Sequence, residues 1–180
     1  IITLDLSKNQ LEDQGIIKIF NAIKKQTSLI NLDISSNDIT SVGMKVIADV
    51  LTNNSTIGKI SLEHNDIGSS CGRLFSEVLK KNDTLININL AYTGLDLEAF
   101  SQGLKINKTV KILNLNGNKI GHYRAGLEAF SQCLSENKTL INISLEDNKI
   151  DDKAFVFLQS GIKANFSVRN YSLKRNFLSN

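Results

Sequence analysis

Proline does not occur once in these 180 residues, although average usage of ~5% would supply roughly nine. Loops must therefore be built from Gly, Asn, Asp and Ser. Cysteine is nearly as scarce. Cys71 and Cys133 are the two present, which excludes a disulfide scaffold and any cysteine-only metal site. The two histidines, His64 and His122, lack the spacing of metal ligands. No apolar run approaches the ~18 residues that span a bilayer, so no membrane is expected, and the N-terminus lacks a signal-peptide layout. Charge of one sign is not in excess: 21 Lys and Arg face 18 Asp and Glu, for a formal net charge of +3. That balance argues against nucleic acid or a charged lipid surface as partner. No phosphate-cradling loop or nucleophile motif occurs, so neither a cofactor nor a small-molecule substrate is expected.

What the chain has in abundance is repetition. Leu4-Asp5-Leu6-Ser7-Lys8-Asn9-Gln10-Leu11 returns as Leu32-Asp33-Ile34-Ser35-Ser36-Asn37-Asp38-Ile39 and again as Ile60-Ser61-Leu62-Glu63-His64-Asn65-Asp66-Ile67. Further copies run from Ile88 to Leu95, Leu113 to Ile120, Ile143 to Ile150 and Tyr171 to Leu178. Measured at the Asn of each copy, the steps are 28, 28, 28 (to Thr93), 25, 30 and 28. A period this regular predicts one repeat domain over residues 1–180. Both ends read as cut from a longer array.

Within each unit the hydrophobic period changes from two to 3.6. Leu32 and Ile34 point inward while Asn31, Asp33 and Ser35 point out, the alternation of a strand. Val46, Ile47, Val50 and Leu51 then share one helical face, as do Leu127, Phe130, Cys133 and Leu134. Helices are expected to end at Gln26, Asn54, Asn82, Asn107, Asn137 and Asn165, with Asn in the left-handed conformation that closes many helices. One strand-turn-helix unit cannot bury its own apolar face, but stacked units share a core. The expected fold is α/β: a curved solenoid with about seven parallel strands on the concave side and helices on the convex side. The recurring turn Asn should bond backbone groups that the turn would otherwise bury unpaired.

The pattern Leu29-x-x-Leu32-x-Ile34-x-x-Asn37-x-Ile39, followed by Gly43 and a helix to Leu51 and Asn54, resembles the ribonuclease-inhibitor-like class of leucine-rich repeats. That resemblance covers the whole chain. Its members include ribonuclease inhibitor, Ran GTPase-activating proteins, tropomodulins, the sensor ends of NOD-like receptors and related bacterial effectors. It implies a rigid curved array that grips a protein partner on its concave face or rim, without catalysis. Regulation of a small GTPase, and a sensor or targeting segment of a larger protein, are the alternatives it leaves open.

Outward strand positions define where such a partner would touch. Lys59, Asn87 and Ile112 fall in one expected row, Asn89 and Asn114 in the next, and Glu63 and Asn116 in a third, with His64 and Tyr92 at the rim. Tyr92 is the expected anchor, because tyrosine combines area with a polar tip. Here the pattern also breaks: Thr93 replaces Asn, unit four is expected to lack residues before its helix, and unit five gains Gly121-His122-Tyr123-Arg124-Ala125. Tyr123 joins the candidate residues on that ground. Lys163, Arg169, Lys174 and Arg175 form a basic feature read as solvated surface. Two unpaired thiols point to a reducing compartment and cytoplasmic residence. The Asn-x-Ser/Thr triplets at Asn54, Asn82, Asn107, Asn137, Asn142, Asn165 and Asn170 are read as structural, not as glycosylation sites, since modification at Asn142 or Asn170 would block the concave face.

Overall fold

A computed structural model describes residues 1–25 and 27–179. The helix end expected at Gln26 lies outside the described residues. Strands and helices alternate along the chain as β1 (Thr3–Asp5), α1 (Glu12–Ile23), β2 (Asn31–Asp33), α2 (Ser41–Asn53), β3 (Lys59–Ser61), α3 (Ser70–Lys81) and β4 (Asn87–Asn89). They continue as α4 (Leu97–Ile106), β5 (Ile112–Asn114), α5 (Arg124–Glu136), β6 (Asn142–Ser144), α6 (Asp152–Ala164) and β7 (Asn170–Ser172), with a 3-10 turn at Ile120–His122 before α5. The seven strands form one parallel sheet in sequence order. Each pairs with the next at the repeat interval, as Leu32 opposite Ile60 and Ile60 opposite Ile88. Strands lie ~4.8 Å apart and packed helices ~8–10 Å apart, so one stack of both bends into an arc with the sheet inside.

The core is the seam between the layers. Leu32, Ile60, Ile88 and Leu113 from the strands meet Phe20, Phe75, Phe100 and Phe130 from the helices, all buried. Glycines let neighbouring units approach. A methyl at Gly103 on α4 would overlap the Ser76 carbonyl of α3, and one at Gly161 on α6 would overlap the Ser131 carbonyl of α5.

Two asparagine ladders run through this core. In the first, Asn65 Nδ2 donates to Ile34 O (3.0 Å) of the preceding unit and Leu62 O (2.9 Å) of its own. Its Oδ1 accepts from Asn37 N and Ile39 N, both at 3.0 Å. Asn118 and Asn148 repeat this bonding across units. The second ladder corrects the expectation for the helix ends. Asn54, Asn82, Asn107, Asn137 and Asn165 are extended, not left-handed. Each closes its own helix with its backbone N–H, and its side chain bonds the following turn and, from Asn82 onward, the preceding unit. Asn137 Nδ2 reaches Leu104 O (2.9 Å) and Asn107 O (3.2 Å) of the previous unit, while its Oδ1 accepts from Thr139 N and Leu140 N. Left-handed residues flank the first ladder instead: Lys8, Ser36, His64, Tyr92, Gly117, Asp147 and Arg175 just before its Asn or Thr, and Asp38, Lys119 and Lys149 just after it.

The short fourth unit also differs from expectation. α4 begins four residues after Thr93, the same offset as α2 after Asn37 and α6 after Asn148. Its loop is therefore of normal length, and the loss falls on the first helical turn. α4 has 10 residues where α2 has 13. Asp96 seals the new start by accepting from Glu98 N at 3.0 Å.

Candidate protein interface

Because side chains alternate across a strand, the outward positions stack into rows along the arc. The sheet register places Asn31, Lys59, Asn87, Ile112, Asn142 and Asn170 in one row, and Asp33, Ser61, Asn89, Asn114, Ser144 and Ser172 in the next. Lys59, Asn87 and Ile112 are thus neighbours, and Ile112 is 38% exposed despite its apolar side chain. Asn89 is already engaged: its amide donates to Glu63 Oε2 (2.8 Å) and Ser61 Oγ (3.2 Å). Asn114 Oδ1 accepts from Asn116 N, and Asn116 Oδ1 from Glu146 N. Among the described residues neither side-chain N–H group has a protein acceptor.

At the rim the left-handed turns aim side chains alike. His64 and Tyr92 stack with ring centroids 4.4 Å apart and planes 9° from parallel. The Tyr92 ring then crosses Gly117, where a methyl would overlap it, and its hydroxyl donates to Asp147 Oδ2 at 3.2 Å. Asp147 also pairs with Lys149 at 2.9 Å. Lys149 foremost, then Tyr92, holds the Asp147 carboxyl below its ordinary range. Burial, followed by the Asp147 bond, pushes the Tyr92 hydroxyl up. On the other side His64 Nε2 lies 3.7 Å from Glu63 Oε1. The expected anchor is consequently half-buried and held at both ends, a strap across units three to six.

The repeat pattern aligns His64, Tyr92, Gly117 and Asp147 in one rim row with Glu63 in the row beside it, but it does not predict that Tyr92 reaches Asp147 or that Lys149 joins them. The available signal was Gly117 standing between two larger rim residues, Tyr92 and Asp147, one unit to either side. Tyr123 is not brought to these rows. It is 64% exposed at the start of α5, where it lines a groove of about 660 Å³ with Leu95, Leu97 and Ile120. Of the basic residues near the end, Arg175 pairs with Glu146 at 3.3 Å. Cys71 and Cys133 are unpaired and buried. Burial pushes both thiols up to about 12, opposed at Cys71 by the Thr93 hydroxyl. Among the described residues no cluster of His, Cys, Asp and Glu could hold a metal ion, and no helix is long and apolar enough to cross a membrane.

Register, twin asparagine ladders and rows of outward side chains define a repeat solenoid with an open inner face. This chain is a leucine-rich-repeat protein, and the leucine-rich-repeat family profile matches residues 1–20, 25–48 and 107–122. No curated protein matches it by sequence. Among solved structures it is similar to the tropomodulin C-terminal domain of Caenorhabditis elegans, at 14% identity and a TM-score of 0.65 over 84% of this chain and 92% of that one. It is similar also to leiomodin-1 actin-binding site 2, at 15% identity and 0.66 over 81% and 88%. An internalin of Listeria monocytogenes matches at 11% identity and 0.50, covering 88% of this chain and 45% of its own. At these identities the likeness is one of fold.

Proposed function

We propose that the chain is a non-enzymatic module that binds another protein along the inner face and rim of units three to five. The observation that carries this reading is a set of groups in adjacent outward rows that take no protein partner among the described residues. Lys59, Asn87, Ile112 and the amides of Asn114 and Asn116 face outward beside a rim strap that is already ordered. A pre-ordered surface loses less side-chain entropy on association. Leiomodin-1, a fold neighbour, is named for an actin-binding site, which supports a protein as the class of ligand. Two buried unpaired thiols support a reducing, cytoplasmic setting. We take residues 1–180 as one repeat domain.

Photo-crosslinking tests the reading. A benzophenone amino acid placed at Asn87 or Asn114 in cells of the source organism should give a discrete protein adduct. The same group at Glu77, on α3 across the molecule, should not. Adducts from Glu77 equal to those from the inner face would overturn the assignment.

A further inference from the structure

The rim stack of Tyr92 and His64 is open at one end. Tyr92 is covered on the side of unit five, where it crosses Gly117 toward Asp147. His64 covers its neighbouring face and is itself half exposed, with 56% of its side chain open. The next rim position in register is Ser36, which shares the left-handed backbone of both rings (φ 52° against 54° and 54°). A hydroxymethyl group is too short to cover an imidazole. The column therefore ends in a free aromatic face above Ser36, with room for one more flat group at the spacing of the strands.

Charge indicates which flat group. Carboxylates lie on the same face as the slot: Glu63 beside His64, and Asp33 on the neighbouring strand with Asp5 next in its row. Glu63 uses Oε2 for Asn89, and Asp33 uses Oδ1 for Ser35. Among the described residues Asp33 Oδ2 takes no protein donor. Lys59 lies in the first row, and the positive charge of Lys8 acts on Asp5. Three carboxylates thus stand against two ammonium groups. A planar cation satisfies both the open ring and the surplus of negative charge, and guanidinium is the side chain that stacks and donates in one plane.

We propose that this slot receives an arginine side chain of the protein partner, stacked on His64 above Ser36 and hydrogen-bonded to Glu63 or Asp33. The proposal rests on the protein-binding reading and names the partner's chemistry. Tyr92 acts as a positioning residue, holding His64 upright through its own bond to Asp147.

Capped tripeptides with a central arginine, lysine or tryptophan serve as probes, titrated into the isotopically labelled 180-residue chain and followed by NMR. The arginine peptide should shift the His64 and Tyr92 ring protons and bind about two- to fivefold more tightly than the lysine peptide. His64→Ala should abolish that preference. Ser36→His should occupy the slot and block the arginine peptide while leaving the fold's amide spectrum intact. Equal affinity for arginine and lysine, an arginine preference that survives His64→Ala, or tighter binding of tryptophan would each overturn the proposal. Those outcomes leave the inner-face crosslinks untouched. Loss of the crosslinks, in turn, would defeat the broader reading whatever the tripeptides do.

Discussion

One buried amide per turn handles four backbone groups that strand and helix hydrogen bonds leave over. Asn137 shows the arrangement at the helix ends: two carbonyls of the previous unit accept from Nδ2, and two amides of its own turn donate to Oδ1. The turn ladder was legible in sequence because its Asn recurs with the repeat and alternation puts it inside. The function of the second Asn was not legible. Asparagine at a helix end fits either a left-handed cap or a side-chain cap, and the choice depends on which carbonyls the neighbouring unit presents. The Thr or Ser two residues on donates both its backbone N–H and its hydroxyl to the same Oδ1, and the hydroxyl bond accounts for the repeated Asn-x-Thr triplets without glycosylation. Asn137→Leu keeps the volume but strands buried polar groups. It should lower stability by about 1–3 kcal/mol, read as a fall in the urea midpoint at unchanged slope. An unchanged midpoint would show that water satisfies those groups.

Between elements, the distance from helix to helix is set by small residues. Gly103 meets the Ser76 carbonyl and Gly72 meets the Asp96 carbonyl, so α3 and α4 pack backbone to backbone. Gly103→Ala must push them apart, at a cost of about 1–3 kcal/mol by the general penalty for overpacking. Gly126→Ala is the internal control: its nearest neighbour would be the Leu97 side chain at 3.3 Å, which needs a shift of only a few tenths of an ångström. Thermal unfolding of the two variants should separate them, and equal melting temperatures would mean that α3 and α4 slide freely. The inner-face rows were readable at this scale because register follows directly from the period. The rim strap was not. It joins Tyr92 to Asp147 across 55 residues, and only the absence of a side chain at Gly117 makes that reach possible.

Over the whole molecule, stability is a sum of joints between neighbouring units, and several joints share one chemistry. Asp13 of α1 accepts from Thr40 N, Thr40 Oγ1 and Gly43 N of the next unit. Asp152 does the same for Ser179, Glu146 accepts from Ser172, and Asp147 from Tyr92. These donors hold the Asp152, Glu146 and Asp147 carboxyls below the ordinary range, with Lys149 the first cause at Asp147. At Asp13 burial opposes the shift, and the Thr40 hydroxyl and the backbone amides outweigh it. A carboxyl with a depressed folded pKa adds stability above its unfolded pKa and loses it as pH falls through the folded one. All four joints should therefore hold from neutrality to about pH 5 and loosen together below about pH 4. Melting followed by circular dichroism should give a level Tm over the first interval and a steep fall in the second. Asp13→Asn with Asp152→Asn should flatten that fall, because two of the titrating joints are gone. A decline already centred near pH 6 would assign the acid sensitivity to histidine, and a Tm level to pH 3 would show that the carboxylates contribute nothing as charges.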